Sequence, residues 1–231
     1  MKNSLSVAKL KFMDCLKAMG IFYSISLLLM ILTWFLSVKE RGGGYNNESA
    51  ALIFLFVCGL NSFKESFKFT SANGVSRKRY FRESLIAMAG IAALATLVET
   101  GLRLISQVFT RHEMLYNMLY ESNSIIAVVA WTFALFFCVS LLGWLINLVY
   151  YRSSALLKIV VSLSPVYVTI LLIWLNKLIG GSVFIAIGNF ISFYWGITDS
   201  NSYVAVLNLL ATSVFFCGLI FLLMRRAPVK E

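Results

Sequence analysis

Two residues of opposite charge, Glu99 and Arg103, stand in an otherwise apolar stretch of the chain. They are four residues apart, so a helix would place them on one face. A charge inside an apolar span costs about 2.5 kcal/mol or more on insertion scales, and such residues usually face the protein interior or water. The spacing predicts one of two roles: the pair borders an outer gate or translocation path, or it is a structural ion pair that holds this span to its neighbours.

A second candidate is the connection over residues 64–83, KESFKFTSANGVSRKRYFRE, which contains six Lys and Arg residues. Asn73-Gly74 predicts a turn, and Ser76 is placed to cap a short helix that begins at Arg77. A short helix that projects from two membrane helices has a shape that can dock into a soluble partner. The alternative is an ordinary cytoplasmic loop whose charges only orient the chain in the membrane.

Residues typical of catalytic centres are sparse. The chain has 1 His and 4 Cys residues, and no C-x-x-C pair occurs. It also lacks the G-x-x-x-x-G-K-[ST] loop that cradles ATP phosphates. A His-rich or thiolate metal site is therefore not expected, and we predict no catalytic residue, metal or cofactor on this chain. The remaining enzymatic alternative, an enzyme acting on lipid, would use Glu99, His112 and Asp199.

The elements that must position these residues are membrane helices. Hydrophobic residues make up 60% of the 231 residues and charged residues 13%, whereas soluble domains have about 45–50% and about 25%. Windows of about 20 apolar residues, the length that crosses a bilayer, fall at 20–38, 49–67, 84–109, 123–149, 156–179 and 202–224. None alternates like a barrel strand. The sequence predicts an all-α polytopic membrane protein, with six transmembrane helices in one domain (1–231).

The positions of the basic residues predict the orientation. Fifteen of the 20 Lys and Arg residues fall in the N-terminal segment, the 64–83 connection, the region between spans four and five, and the C-terminal tail. Because Lys and Arg concentrate in cytoplasmic segments, we expect both termini in the cytoplasm and the chain in the plasma membrane. The net charge of +10 is spread over these loops and not gathered in one basic domain, so no nucleic-acid partner is expected.

Two further segments are apolar without being clear spans. In residues 3–19, Leu5, Phe12 and Leu16 recur at helical spacing among lysines. This pattern predicts an amphipathic interfacial helix whose lysines face the headgroups of the cytoplasmic leaflet; the alternative is a plain extension of span one. Residues 180–201 are broken by glycines and rich in aromatics, which predicts a re-entrant or interfacial segment before the last span.

The stretch Ser71-Ala72-Asn73-Gly74-Val75-Ser76-Arg77-Lys78-Arg79-Tyr80-Phe81 resembles the loop after the second span in membrane subunits of ABC exporters of the drug, peptide and polysaccharide class (type V-like). The length, the six spans, the interfacial helix and the broken region before the last span also look like that family. The peptide-toxin and antimicrobial-peptide exporters are the most similar. One departure is the short outer loops, which leave no room for an external substrate-binding domain.

The resemblance implies that this loop is the coupling helix, seated in a groove of a cytoplasmic ABC ATPase subunit. The docking residues it implies are Ser71, Asn73, Gly74, Val75, Ser76, Arg77, Lys78, Arg79, Tyr80 and Phe81. It further implies two ATPase copies, which bind ATP and Mg, and a second permease copy, either identical or a related paralogue. This chain itself would bind no cofactor.

Together these inferences predict a non-catalytic permease subunit of an ATP-driven exporter. Its substrate would be amphipathic, a hydrophobic peptide or a lipid-like molecule, because aromatic- and Leu-rich spans with few charges make a poor route for a small ion. The alternative is a non-enzymatic assembly or scaffold protein of the membrane, which predicts that the 71–81 loop tolerates substitution and that nothing depends on ATP.

Overall fold

The computed structural model describes residues 7–37, 47–109, 115–120, 124–198 and 200–225. These ranges are helical throughout except for short turns, and none of them contains a strand. The helices are α1 (Val7–Ser37), α2 (Glu48–Asn61), α3 (Lys64–Ala72), α4 (Arg77–Phe109), α5 (Leu115–Leu119), α6 (Ile125–Arg152), α7 (Ala155–Leu178), α8 (Ser182–Tyr194) and α9 (Ser202–Arg225). Among these described residues, six stretches are long and apolar enough to cross a membrane: α1, α2 with α3, α4, α6, α7 and α9. Over the described residues, the predictions of an all-α chain and of six apolar helices of membrane-spanning length are confirmed.

The second span is interrupted near its end. The sequence predicts one span over 49–67, but α2 ends at Asn61 and α3 begins only at Lys64. The Ser62 hydroxyl donates a hydrogen bond to the Gly59 carbonyl at 2.8 Å, and such side-chain bonds compete with the backbone bonding of a helix. The following Phe63 is fully buried and anchors the break in the core.

The central helix is α6, with 56% of its apolar window buried, the highest share among the six spans. It is apolar on all sides, as a helix surrounded by others must be, and it packs against α2, α9 and α4. The closest approach to α2 is at Gly59 and Gly143, where an added Cβ would collide with the backbone carbonyl of Ser140 or of Phe56. Small residues at such crossings let membrane helices pack backbone to backbone.

α1 is one continuous helix from Val7 to Ser37. Within the described residues there is therefore no break between the segment predicted as an interfacial helix (3–19) and the first span, and residues 3–6 lie outside the described part. Lys11 also departs from the prediction that the lysines of this segment face headgroups, since its side chain is buried against α4. Hydroxyl acceptors on α4, described below, explain this position.

α7 and α8 lie at the edge of the bundle. No residue in the apolar window of α7 is buried, and its main packing partner is α8. α8 occupies the segment predicted as re-entrant or interfacial (180–201); its 13 residues extend about 20 Å, which is too short to cross a hydrocarbon core of about 30 Å. The Asn176 side chain accepts a hydrogen bond from the Phe184 N–H at 3.0 Å and so ties the start of α8 to α7.

Candidate functional site

The connection between α3 and α4 is a tight, hydrogen-bonded turn. Gly74 has a φ of +73°, a value that glycine adopts without the penalty of a side chain. Its N–H donates to the Ser71 carbonyl at 3.1 Å, and the Val75 N–H donates to the Thr70 carbonyl at 3.0 Å. The Ser76 hydroxyl accepts a hydrogen bond from the Arg79 N–H at 3.4 Å. The predicted turn at Asn73-Gly74 and the predicted helix start at Arg77 are both present.

The helix that starts at Arg77 is not a separate short one. It continues without interruption to Phe109 and includes the third span, because residues 77–89 contain no glycine or proline that would end it. The predicted coupling loop 64–83 therefore consists of α3, the turn, and the first two turns of α4. We call residues 73–79 the basic turn.

The basic turn presents its charges outward. Asn73, Gly74 and Ser76 are exposed, and so are the three consecutive cations Arg77, Lys78 and Arg79, whereas Ser71 and Val75 are half-buried. Of the predicted docking residues, the polar ones thus form a cationic surface. The aromatic pair that follows, Tyr80 and Phe81, turns inward.

Tyr80 anchors the turn to α3 and to Phe63, which directly precedes it. Its side chain is 1% exposed, and its ring meets those of Phe63 and Phe67 edge to face, with centroids 6.1 and 5.3 Å apart. The hydroxyl lies 2.8 Å from the Ser66 hydroxyl. Edge-to-face aromatic pairs add about 0.5–1.5 kcal/mol each beyond their burial, so the first turn of α4 cannot shift without moving α3.

Phe81 anchors the same turn to α6 and α9. Its ring stacks on Trp144 with a centroid distance of 5.9 Å and meets Phe221 at 5.4 Å. Trp144 is fully buried and belongs to the central helix. The two aromatic anchors therefore connect the exposed basic turn directly to the buried centre of the bundle.

Two arginines donate hydrogen bonds to backbone carbonyls at the C-terminal end of α9. Arg77 donates to the Arg225 carbonyl at 2.7 Å, and Arg152 donates to the Leu223 carbonyl at 3.1 Å. The last carbonyls of a helix lack intrahelical partners and carry partial negative charge, which suits a guanidinium. These bonds place the start of α4 and the C-terminal ends of α6 and α9 at the same end of the bundle.

The start of α1 lies at this same end. Arg79 and Glu83 form an ion pair at 2.7 Å, and the second carboxylate oxygen of Glu83 accepts a hydrogen bond from the Val7 N–H at 2.6 Å. We refer to this part of the molecule as the Val7 end; by the charge distribution it is the predicted cytoplasmic side.

Glu99, the first residue of the predicted gate pair, is at the opposite end of the bundle and is 2% exposed. Its carboxylate accepts a hydrogen bond from the Asn47 side-chain amide at 2.6 Å and interacts with the hydroxyl of Tyr23. The carboxylate therefore connects α4 to the start of α2 and to α1.

Arg103 is 6% exposed and lies on the same face of α4 as Glu99, as predicted. It donates to the Asn117 side-chain carbonyl at 3.0 Å and interacts electrostatically with Glu48. Glu48 in turn accepts a hydrogen bond from the Leu115 N–H at 3.1 Å. These contacts build a polar cluster within this chain, which joins α2, α4 and the short α5.

Sequence reasoning did not identify Asn47 and Glu48 as partners of the Glu99–Arg103 pair. Both residues stand directly before the apolar window at 49–67. Polar residues at such a position begin a membrane helix and lie near the ends of neighbouring helices, and this was the signal that could have identified them. Lys11 was also missed, since it was assigned to a headgroup-facing surface.

The described residues hold no group of three or more His, Cys, Asp or Glu side chains that would bind a metal ion. Two residues of the enzymatic alternative, His112 and Asp199, lie outside the described part of the chain. No protein-family model, no curated protein and no solved structure matches this chain.

Proposed function

We propose that this chain is the membrane-spanning permease subunit of an ATP-driven ABC exporter, and that the basic turn docks into a cytoplasmic ATPase subunit. The observation that supports this best is the combination of an exposed cationic surface with a buried aromatic base in eleven consecutive residues. A loop that served only to orient the chain would need its charges, but it would not need Tyr80 and Phe81 packed into the core against different helices.

The anchors suggest how a force on the turn would reach the spans. A displacement of the basic turn would move α3 through Tyr80, α6 through the Phe81–Trp144 stack, and α9 through the Arg77 bond to its last carbonyl. Packed elements of this kind move as rigid bodies and not by continuous deformation. In the proposed cycle, ATP binding draws two ATPase subunits together, and each basic turn passes that motion to its own bundle.

The proposed unit contains two permeases, which are identical or paralogous, and two ATPases. ATP and Mg would be bound by the ATPases alone. A second permease copy would have surface to pack against, because none of the apolar window of α7 and only 17% of that of α1 is buried within this chain. The proposed cargo is amphipathic, a hydrophobic peptide or a lipid-like molecule, and the path would lie between the copies.

Affinity purification in mild detergent tests the proposal. The tagged wild type should recover a subunit that carries an ATP-binding loop, identified by mass spectrometry. Gly74→Pro should lose it, because proline fixes φ near −65° where Gly74 has +73°. Lys78→Glu should also lose it, since Lys78 is exposed and its reversal removes only surface charge.

Lys158→Glu is the matched control. It makes the same charge reversal in the first turn of α7, which follows the end of α6 at the same end of the bundle, and it should retain the ATPase. If wild type, Lys78→Glu and Lys158→Glu all recover no nucleotide-binding subunit, the docking proposal fails.

The scaffold alternative is favoured by one observation, the unburied α7, which would also suit a different membrane protein as its partner. It predicts that a membrane protein co-purifies through α7 while the basic turn tolerates both Gly74→Pro and Lys78→Glu. The same purification therefore discriminates between the two functions.

A further inference from the structure

A cavity of about 590 Å³ lies at the Val7 end, between α1, α2, α3 and α4. Its volume is within the range of sites that enclose small ligands. It is separate from the basic turn, none of whose residues line it, and from the Glu99 cluster at the other end of the bundle. Neither the proposed docking nor the proposed transport path uses it.

The charged and hydroxyl side chains of the cavity lining lie toward the Val7 end, beside Val7 and Leu10, and the deeper lining is apolar. Lys11, Ser66 and Thr70 line it near the Val7 end, whereas Phe54 and Ile91 line it further in. Ile91 lies about 20 Å along α4 from Arg77, well inside the thickness of a hydrocarbon core of about 30 Å. The cavity thus has the polarity of one half of a bilayer, with its polar part at the surface.

Lys11 supplies a cation at the polar end. Its side chain is 8% exposed, and its ammonium donates to the Tyr80 hydroxyl at 2.9 Å and to the Ser84 hydroxyl at 2.7 Å. It also lies 4.3 Å from the centroid of the Tyr80 ring and 5.4 Å from that of Trp144, a geometry that stabilises a positive charge.

The contacts described for Lys11 include no carboxylate. A lysine ammonium has three donors, and the two hydroxyls above satisfy two of them. Asp14 also lines the cavity, but its side chain is exposed and forms no ion pair with Lys11 among the described residues. A buried charge is costly unless it is paired, so an anion bound beside Lys11 would complete the site.

We propose that this cavity binds an acyl chain with a negatively charged head, with the carboxylate or phosphate on Lys11 and the chain along Phe54 and Ile91. The proposal goes beyond the exporter function and does not depend on it. A phosphodiester lipid and a free fatty acid share this chemistry, and separate experiments with each distinguish the two sources.

Two thiols inside the cavity report its occupancy. Cys15 and Cys58 line it, whereas Cys138 and Cys217 do not and serve as internal references. The full chain would be reconstituted in nanodiscs of phosphatidylcholine alone, with added phosphatidylglycerol, or with added oleate. Alkylation of each cysteine by N-ethylmaleimide would then be followed by mass spectrometry.

An anionic probe at about ten times its Kd should slow alkylation of Cys15 and Cys58 about tenfold, with Cys217 unchanged. Slowing by phosphatidylglycerol would identify the lipid headgroup as the source, and slowing by oleate alone would identify a free acyl acid. This comparison within the wild type requires no variant. Equal rates in all three bilayers would overturn the proposal.

Lys11→Gln should abolish the slowing, and Lys17→Gln should preserve it, because Lys17 is an exposed lysine of the same helix. Lys11→Arg, which keeps the charge, should restore most of the protection if Lys11→Gln is poorly folded. Protection that persists in Lys11→Gln would overturn the assignment of the anion to Lys11.

Discussion

The hydroxyl of Tyr80 accepts a hydrogen bond from the ammonium of Lys11 at 2.9 Å, across the interface of α4 and α1. Tyr80 thereby belongs to two features at once, since its ring anchors the basic turn on Phe67 and its hydroxyl lies beside the cavity cation. The two can be separated by substitutions that remove the ring or only the hydroxyl.

Tyr80→Phe should cost about 1–2 kcal/mol of stability, because it removes hydroxyl bonds to Lys11 and Ser66 and keeps the ring. Tyr80→Ala should cost about 3–5 kcal/mol, the usual penalty for deleting a buried aromatic ring. Thermal unfolding in detergent, followed by tryptophan fluorescence, measures both. Equal losses for the two variants would show that the ring contributes nothing to the anchor.

Gly143→Ala should destabilise the bundle by about 1–3 kcal/mol, the range for overpacking a close contact, because the new Cβ would collide with the Phe56 carbonyl of α2. Gly218→Ala is the control, since a Cβ there meets no atom within 4 Å. The midpoint of thermal unfolding should fall for the first variant only. An equal fall in the unfolding midpoint for Gly218→Ala would mean that the loss of stability does not come from the close contact of α6 with α2 at Gly143.

Much of this fold follows from hydropathy. The six spans were predictable because each is mostly apolar over about the length of a bilayer. The turn at Asn73-Gly74 was predictable because glycine adopts a positive φ without a steric penalty. The break at Ser62 was not predicted, since it depends on one hydroxyl bond. The helix start at Arg77 was predicted, but its continuity with the third span was missed, although residues 77–89 contain no glycine or proline.

The partners of the charged residues were harder to predict. Glu99 and Arg103 were assigned to one helix face from their spacing alone, and the structure buries both. Their contacts with Asn47 and Asn117 bring together residues separated by 52 and 14 positions, and no local pattern encodes such pairings. Lys11 was misplaced for a similar reason, because its acceptors lie on α4.

Glu99→Gln and Arg103→Gln test whether the buried polar cluster has only a structural role. Glu99→Gln should keep the Asn47 contact and lower stability by no more than about 1 kcal/mol, whereas Arg103→Gln removes the cation beside Glu48 and should cost more. If the cluster borders the translocation path, transport should fall in both variants at normal assembly, measured by size-exclusion chromatography. Normal transport by both would eliminate the gate hypothesis.

Cysteine labelling tests the predicted orientation. In a background with the four native cysteines replaced, Ser76→Cys should react with a membrane-impermeant maleimide only after the cells are opened. Asn201→Cys, exposed before α9 at the other end, should react in intact cells. The expected asymmetry follows from the excess of Lys and Arg at the Val7 end, and the reverse pattern would invert the topology.

Site-specific photo-cross-linking tests the docking proposal most directly. A benzoyl-phenylalanine at position 78, on the exposed face of the basic turn, should cross-link to a subunit whose peptides contain an ATP-binding loop. The same group at position 158 should not, and Gly74→Pro should abolish the product at position 78. If position 78 yields no such product in intact membranes, or yields it no more than position 158 does, the basic turn is not the docking site of an ATPase.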